Sequence, residues 1–256
     1  MSAQVIIQRE NGIARVVIDH AEKSNALTGA LLVELYEVLE DLSLEPVPRA
    51  LVLTGAGERA FIGGAFIDEM AALDKVSARE FITRVHRACD ALRRFPAPVI
   101  ARIQGHTLGA GLELAISCDI RIAAEEAVFG MPEVRLGIPS VVEAALLPRL
   151  IGMGRARWLL LTGNSIGARQ ALDWGLIEDV VPRGSLDAAV DRVLEALLAG
   201  GTAALRAQKL LIKRWEDESL PAAIAAGIDA FAAAYAGTEP RERMAAYLAA
   251  KKKQQE

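Results

Sequence analysis

Alternation is the feature that most limits the fold of this chain. Short apolar runs of strand length take turns with longer stretches whose apolar residues recur at helical spacing. The strand-like runs are RALVLTG at 49–55, PVIARIQG at 98–105, DIRIAA at 119–124 and LIEDVVP at 176–182. The helical stretches include Asn25 to Asp41, with Leu27, Leu31, Leu35, Val38 and Leu39 on the repeat and Thr28 as cap, and Ser77 to Phe95, stopped by Pro96 and Pro98. Further helices are expected over Pro139 to Leu150 and from Arg155. Strand runs without polar alternation are buried on both faces, which calls for parallel pairing with helices between. The chain is therefore expected to be α/β, built from repeated β-β-α or β-α units. Ahead of these units, VIIQRENGIARVVID reads as a hairpin turning at Asn11-Gly12.

Length and composition agree with one large core: 256 residues, 52% of them apolar. From Leu186 onward the sequence becomes Ala-rich and helical in pattern. The expected division is a core over residues 1–195 and a helical region over 196–256 that packs on something, another subunit being the natural candidate. The KKKQQE end reads as a solvated tail, and no internal repeat is evident. The formal net charge of −4 argues against nucleic acid as the main partner, since phosphate binding needs a basic face. The start, MSAQVIIQRE, shows no basic stretch followed by a long apolar one, and no run approaches the ~20 apolar residues of a membrane span. Neither a signal peptide nor a membrane segment is expected, and cytoplasm is the default location. Cys89 and Cys118 have no metal-ligand spacing and read as core thiols of a reducing compartment. No metal site is expected.

Two Gly-rich loops carry the chemical signal. In Phe61-Ile62-Gly63-Gly64-Ala65-Phe66 the paired glycines follow a strand, where they let successive N–H groups aim at one point. In Gly105-His106-Thr107-Leu108-Gly109-Ala110-Gly111-Leu112-Glu113 a strand gives way to a helix of small residues, whose first N–H groups have no internal partner. Neither the G-x-G-x-x-G spacing nor a phosphate-loop Lys-Ser/Thr is present. Glu113 lies among Leu112, Leu114, Ala115 and Ile116, costly company for a carboxylate unless it is paired or functional. Glu133 follows in Phe129-Gly130-Met131-Pro132-Glu133. Two carboxylates beside two amide donors would make an acid/base pair at an oxyanion hole. The alternative is that Glu113 pairs locally and Glu133 opens a helical turn; residues alone leave both readings open.

These residues resemble the crotonase (enoyl-CoA hydratase/isomerase) superfamily. The resemblance is carried by SNAL at 24–27, the run 51–70, the run 98–139, LPRLIGMGRARWLLLTG at 147–163, ALDWGLIEDVVP at 171–182, and Glu242, Met244 and Tyr247 in the tail. It implies a spiral of β-β-α turns with a C-terminal helical trimerisation region, and a homotrimer or a hexamer made of two trimers. It implies that Ala65 and Ala110 donate the oxyanion-hole N–H groups, and that Glu113 and Glu133 are the acid/base pair, Glu113 on water and Glu133 on Cα. Lys23 and Ala26, with Gly63, Gly64, Phe66 and Ile67 of the first loop, resemble the part that lines the coenzyme A groove. Gly109, Pro132, Ser140 and Glu143 complete the expected substrate contacts. The implied activity is hydration of a 2-enoyl-CoA thioester, with coenzyme A as part of the substrate and no separate cofactor. Another reaction of the superfamily (isomerisation, hydrolysis or decarboxylation) and non-catalytic acyl-CoA binding are the alternatives.

The sequence departs from the superfamily pattern in three places. Phe66 stands where Asp is common, and is expected to make the site wall more apolar. Ala110 replaces the usual glycine at the second donor. The run Gly137-Ile138-Pro139-Ser140-Val141-Val142-Glu143 replaces a Gly-rich run and is one residue shorter. Ser140-x-x-Glu143 matches a capping box; the competing reading turns Ser140 or Glu143 into the pocket. His106 is expected to be structural, His20 and His86 show no partner pattern, and the stripe Ile224, Ile228, Phe231, Tyr235 reads as a packing face.

Overall fold

The computed structural model describes residues 3–44 and 46–253. The chain opens on the expected hairpin of β1 (Gln4–Glu10) and β2 (Ile13–Asp19), with Glu10 opposite Ile13. Asn11 (φ 51°) and Gly12 (φ 78°) are both left-handed, which suits a two-residue turn matched to strand twist. After a 3-10 turn (Ala21–Lys23) comes α1 (Gly29–Ser43), where Thr28 Oγ1 accepts from the Leu31 N–H at 3.1 Å. The helix starts later than Asn25 because Ser24 and Asn25 are themselves left-handed, each at φ 56°.

Three strand pairs then wind into a spiral. The first is β3 (Ala50–Gly55) and β4 (Ala60–Ile62), followed by α2 (Ile67–Met70) and α3 (Lys75–Arg94). The second is β5 (Val99–Ile103) and β6 (His106–Leu108), followed by α4 (Ala110–Ile116). The third is β7 (Ile120–Ala124) and β8 (Val128–Gly130), followed by two 3-10 turns, Glu133–Leu136 and Val142–Leu146. Next come α5 (Leu147–Ile151), α6 (Met153–Thr162), β9 (Ser165–Gly167), α7 (Ala168–Trp174) and β10 (Asp179–Val181). The chain finishes with α8 (Leu186–Ala199), α9 (Thr202–Asp217), α10 (Leu220–Ala234) and α11 (Glu239–Lys253). Gln254–Glu256 of the KKKQQE end lie outside the described residues.

The first strand of each pair joins a six-stranded sheet ordered β1-β2-β3-β5-β7-β10; the second joins a four-stranded sheet ordered β4-β6-β8-β9. Pairing is parallel except at β1–β2 and β8–β9. Both faces of the large sheet are covered, which explains its unalternated strands. One face builds the main core with α1, α3 and α4 around Leu31, Leu35, Phe81, Leu92 and Leu112. On the other, Leu186, Ala189, Val190 and Leu194 of α8 cover Ala50, Val52, Ile100 and Ile122. The division expected between residues 195 and 196 therefore falls inside α8. Cys89 and Cys118 are buried free thiols, and burial pushes the Cys118 thiol up to about 12.

The helix expected over Pro139 to Leu150 is not continuous. Gly137 is left-handed (φ 80°), Pro139 has no N–H to give, and Val142 sits at φ 40°, so only the 3-10 turn and α5 form. A β-branched residue at positive φ is strained. Two fully buried amide side chains, Asn25 and Gln104, hold the turn between β3 and β4. Asn25 Nδ2 donates to the carbonyls of Ala56 (2.9 Å) and Ala60 (3.0 Å); Gln104 Nε2 donates to those of Gly55 and Ala60, both at 2.7 Å.

Candidate active site

Strand order puts the two Gly-rich turns side by side: β4 and β6 are neighbours in the small sheet, so the segments leaving their C-terminal ends touch. The first is pinned from both flanks. The Gly63 N–H donates to Ser24 O (2.9 Å), the Leu27 N–H to Gly64 O (2.8 Å), and the Phe66 N–H to Leu27 O (2.8 Å). Between these tied groups the Ala65 N–H has no acceptor among the described residues. The second turn pivots on Gly109 (φ 52°, ψ −124°), a conformation that side chains disfavour. Ala110, the first residue of α4, likewise has no acceptor for its N–H among the described residues. The turns are in backbone contact: a Cβ on Gly111 would lie 2.0 Å from Ile62 O, and one on Gly64 3.1 Å from Leu108 O.

A cavity of about 580 Å³ opens in front of these amides. Of the residues singled out in the sequence, Gly63, Gly64, Ala65, Ile67, Gly109, Ala110, Glu113, Pro132, Glu133 and Ser140 all line it. Its apolar wall comes from Met70, Leu73, Phe81, Ile82 and Val85 of α2, α3 and their link, and from Leu136, Ile138 and Val141. Exposed Lys75 and Arg79 stand on its rim.

The two glutamates meet here, each with one oxygen anchored. Glu113, 4% exposed, projects from the first turn of α4, and its Oε1 accepts the Ala144 N–H at 3.1 Å. Burial raises its carboxyl to about 8; the Ala144 N–H opposes that rise, and the charges of Glu133 and Glu143 add to it. Glu133 begins the 3-10 turn after Pro132, where its Oε2 accepts from Ser140 Oγ at 2.7 Å. Its Oε1 lies over the Cα of Gly109, so near that a Cβ there would come within 2.5 Å of it. Gly109 is thus required twice, for its φ and for the space Glu133 occupies.

Several expectations need correction. Ser140 and Glu143 form no capping box: the 3-10 turn has Val141 at its N-cap with no side-chain cap, and Ser140 is spent on Glu133. Glu143 does not line the cavity. It is 5% exposed and turns to α3, where its Oε1 is 2.8 Å from His86 Nδ1. Hence His86 does have a partner, one that sequence spacing could not show because 57 residues separate the pair. Phe66 does not enter the wall: its ring leans on the His20 imidazole, centroids 5.6 Å apart. Outside the cavity, where the coenzyme A groove is expected, Lys23 is exposed on its 3-10 turn, and Ala26 is engaged through its carbonyl with His20 Nδ1 at 2.8 Å. Sequence reading also missed the Asn25 and Gln104 clamp, whose only signal is one amide just past a 3-10 turn and another just past β5. His106 is exposed on β6. Among the described residues no group of three or more His, Cys, Asp or Glu is placed to hold a metal ion.

Comparison with known proteins agrees with this architecture. The profile of the family described as enoyl-CoA hydratase/isomerase matches residues 8–256. The short-chain-enoyl-CoA hydratase of Clostridium acetobutylicum is 34% identical over 249 residues, covering 97% of this chain and 95% of that protein. The crotonyl-CoA hydratase of Syntrophomonas wolfei is also 34% identical over 249 residues, covering 97% and 96%. The crystal structure of an enoyl-CoA hydratase from Bacillus anthracis superposes with a TM-score of 0.92 at 32% identity, covering 95% of each chain. With the spiral of strand pairs, the helical C-terminal region and near full-length matches in sequence and structure, this chain belongs to the enoyl-CoA hydratase/isomerase family.

Proposed function

We propose that the protein is an enoyl-CoA hydratase that adds water across the double bond of a 2-enoyl-CoA thioester. The observation that carries this reading is one cavity bordered by two unengaged backbone N–H groups, Ala65 and Ala110, and by two carboxyl groups, Glu113 and Glu133. The thioester oxygen would sit on the two amides, where each donor is worth about 3 kcal/mol in the transition state. Water oxygen bonds to C3, the C2–C3 π pair moves toward the thioester carbonyl as an enolate, and C2 then takes a proton. One carboxylate removes the proton from water while the other carboxyl delivers one to C2, so the resting pair must hold a single proton. The anchoring suits this: each acid leaves one oxygen free for transfer. The apolar wall suits an acyl chain, and Lys75 and Arg79 on the rim favour the approach of a phosphorylated coenzyme A.

Family resemblance puts Glu113 on the water and Glu133 on C2. The upward shift of Glu113 supports the exchanged assignment, because Glu113 then carries the proton in the empty site. Two experiments separate these. Crotonyl-CoA hydration should fall by about 10²–10⁴-fold in Glu113→Gln and in Glu133→Gln; wild-type rates in both sink the reaction. Exchange of the Cα proton of butyryl-CoA in heavy water needs only the acid that serves C2, and should vanish in just one of the two variants.

We also assign the helical region to subunit assembly. Ile224, Ile228 and Phe231 of α10, at 57%, 67% and 69% exposure, and Tyr247 and Leu248 of α11 are large apolar side chains left exposed. A homotrimer, alone or paired into a hexamer, would cover them. Light scattering on the wild type and on Phe231→Glu tests this, and a monomeric wild type refutes it.

A further inference from the structure

The turn that departs from the family pattern holds a third acid beside the reacting pair. Glu143 is 5% exposed, and its single hydrogen-bond partner among the described residues is His86. Its other oxygen, Oε2, is buried with no partner among the described residues. A carboxylate so placed is costly to keep unless the site uses it. The next residue, Ala144, is the one whose N–H donates to Glu113 Oε1. The preceding residue, Val142, is held at φ 40°, so the turn needs an external tie to keep its shape. His86 projects from α3, the same helix that supplies Phe81, Ile82 and Val85 to the cavity wall.

We propose that Glu143, tied to His86, is a positioning residue for Glu113: it fixes the 141–144 turn so that the Ala144 N–H reaches that carboxyl, and it sets a buried negative charge behind it. This rests on the reading of Glu113 as an acid/base group, and it explains why an acid here need not enter the cavity. The charged and titratable groups around Glu143 are few. From α3 come His86, Cys89 and Arg93, the last paired with Glu216 of α9 at 2.7 Å; from α4 comes Glu113, and beyond it Glu133. The Glu143 charge raises both the Cys89 thiol and the Glu113 carboxyl, so its field reaches the site. Glu143→Gln keeps the shape and removes the charge, which eases ionisation of Glu113 and lowers its titration midpoint. Glu143→Asp keeps the charge.

The test follows the Glu113 carboxyl directly, by carbon NMR of protein labelled at glutamate, with the resonance assigned through its loss in Glu113→Gln. This readout does not depend on which reaction the protein catalyses, so failure of the hydratase reading and failure of this proposal are separate results. The Glu113 midpoint should fall in Glu143→Gln. In Glu143→Asp, the variant that also serves if Glu143→Gln does not fold, it should not fall: the charge stays, and any loosening of the Ala144 N–H raises it. In the hydration pH profile, the limb governed by Glu113 should move to lower pH by the same amount in Glu143→Gln, with kcat changing more than KM. A role confined to folding would lower thermal stability in both variants and leave the midpoint in place. An unmoved Glu113 midpoint in folded Glu143→Gln, or an equal drop in Glu143→Asp, overturns the proposal.

Discussion

Replacing Gly111 by alanine should disable the site without touching an acid or an amide donor. Gly111 is where α4 rests on β4, and a Cβ there would lie 2.0 Å from Ile62 O, 2.8 Å from Ile62 C and 2.9 Å from Ile62 Cβ. Real Cβ atoms essentially never come within 3.0 Å, and the obstacle is backbone, which cannot swing aside as a side-chain tip can. The two segments must part by about 1 Å, and a misplacement of that size at a reacting centre costs about 10²-fold in rate. Ala65 lies three residues after Ile62 and Ala110 directly before Gly111, so the separation falls on the two donors themselves. Overpacking of this kind also costs about 1–3 kcal/mol of stability, within what a domain of this size can lose and stay folded. The assay is kcat/KM for crotonyl-CoA hydration alongside a thermal melt. The expected result is a folded protein about 100-fold less active. A folded Gly111→Ala enzyme within threefold of wild type would refute the view that catalysis depends on the mutual register of the two amide turns.

Gly154→Ala is the matching control: Gly154 is in α6 with nothing within 4 Å of the added Cβ, so the variant should gain about 0.5–1 kcal/mol in a thermal melt and keep full activity. Glu113→Gln should show a pH-dependent stability gain. The folded carboxyl is raised from 4.5 to about 8, so the folded state binds more protons than the unfolded one over that window, and wild-type stability falls as pH rises through it. Melts should therefore favour Glu113→Gln by at least about 1 kcal/mol near pH 9 and by nothing near pH 4; a difference independent of pH contradicts the raised carboxyl. Lys209, 8% exposed, holds Leu92 O and Ala97 O, each at 3.1 Å, and Asp119 Oδ2 at 2.7 Å. Lys209→Met should lower urea stability by about 2–3 kcal/mol, and a loss under 1 kcal/mol would show that α9 is held by its apolar contacts alone.

The sequence conveyed what depends on repeated or local signals. Unalternated strands announced a sheet covered on both faces, Asn11-Gly12 announced the hairpin, and Thr28 announced the cap of α1. The two glycine turns and both glutamates were legible because small residues at strand ends and acids in apolar company are each unusual. What stayed hidden was long-range pairing of polar groups. Ser140 and Glu143 carry the spacing of a capping box, yet each finds a partner elsewhere, Glu133 and His86, so a local rule lost to tertiary contacts. The helix expected over Pro139 to Leu150 failed for a related reason: the turn is shaped to offer the Ala144 N–H to Glu113, and Val142 bears the strain. Phe66 misled through its neighbours, since a side chain beside a site residue on an extended segment points the other way.

Because each strand pair gives its second strand to the small sheet, the site is assembled from successive laps of the chain. The first two laps supply the amides and Glu113, and the third supplies Glu133 and the turn bearing Ser140 and Glu143. On the proposed reading, mutational drift in the third lap would retune proton handling while the half proposed to grip the thioester stays intact. Such a division of labour would let one scaffold explore new outcomes for a common enolate without first losing its hold on it.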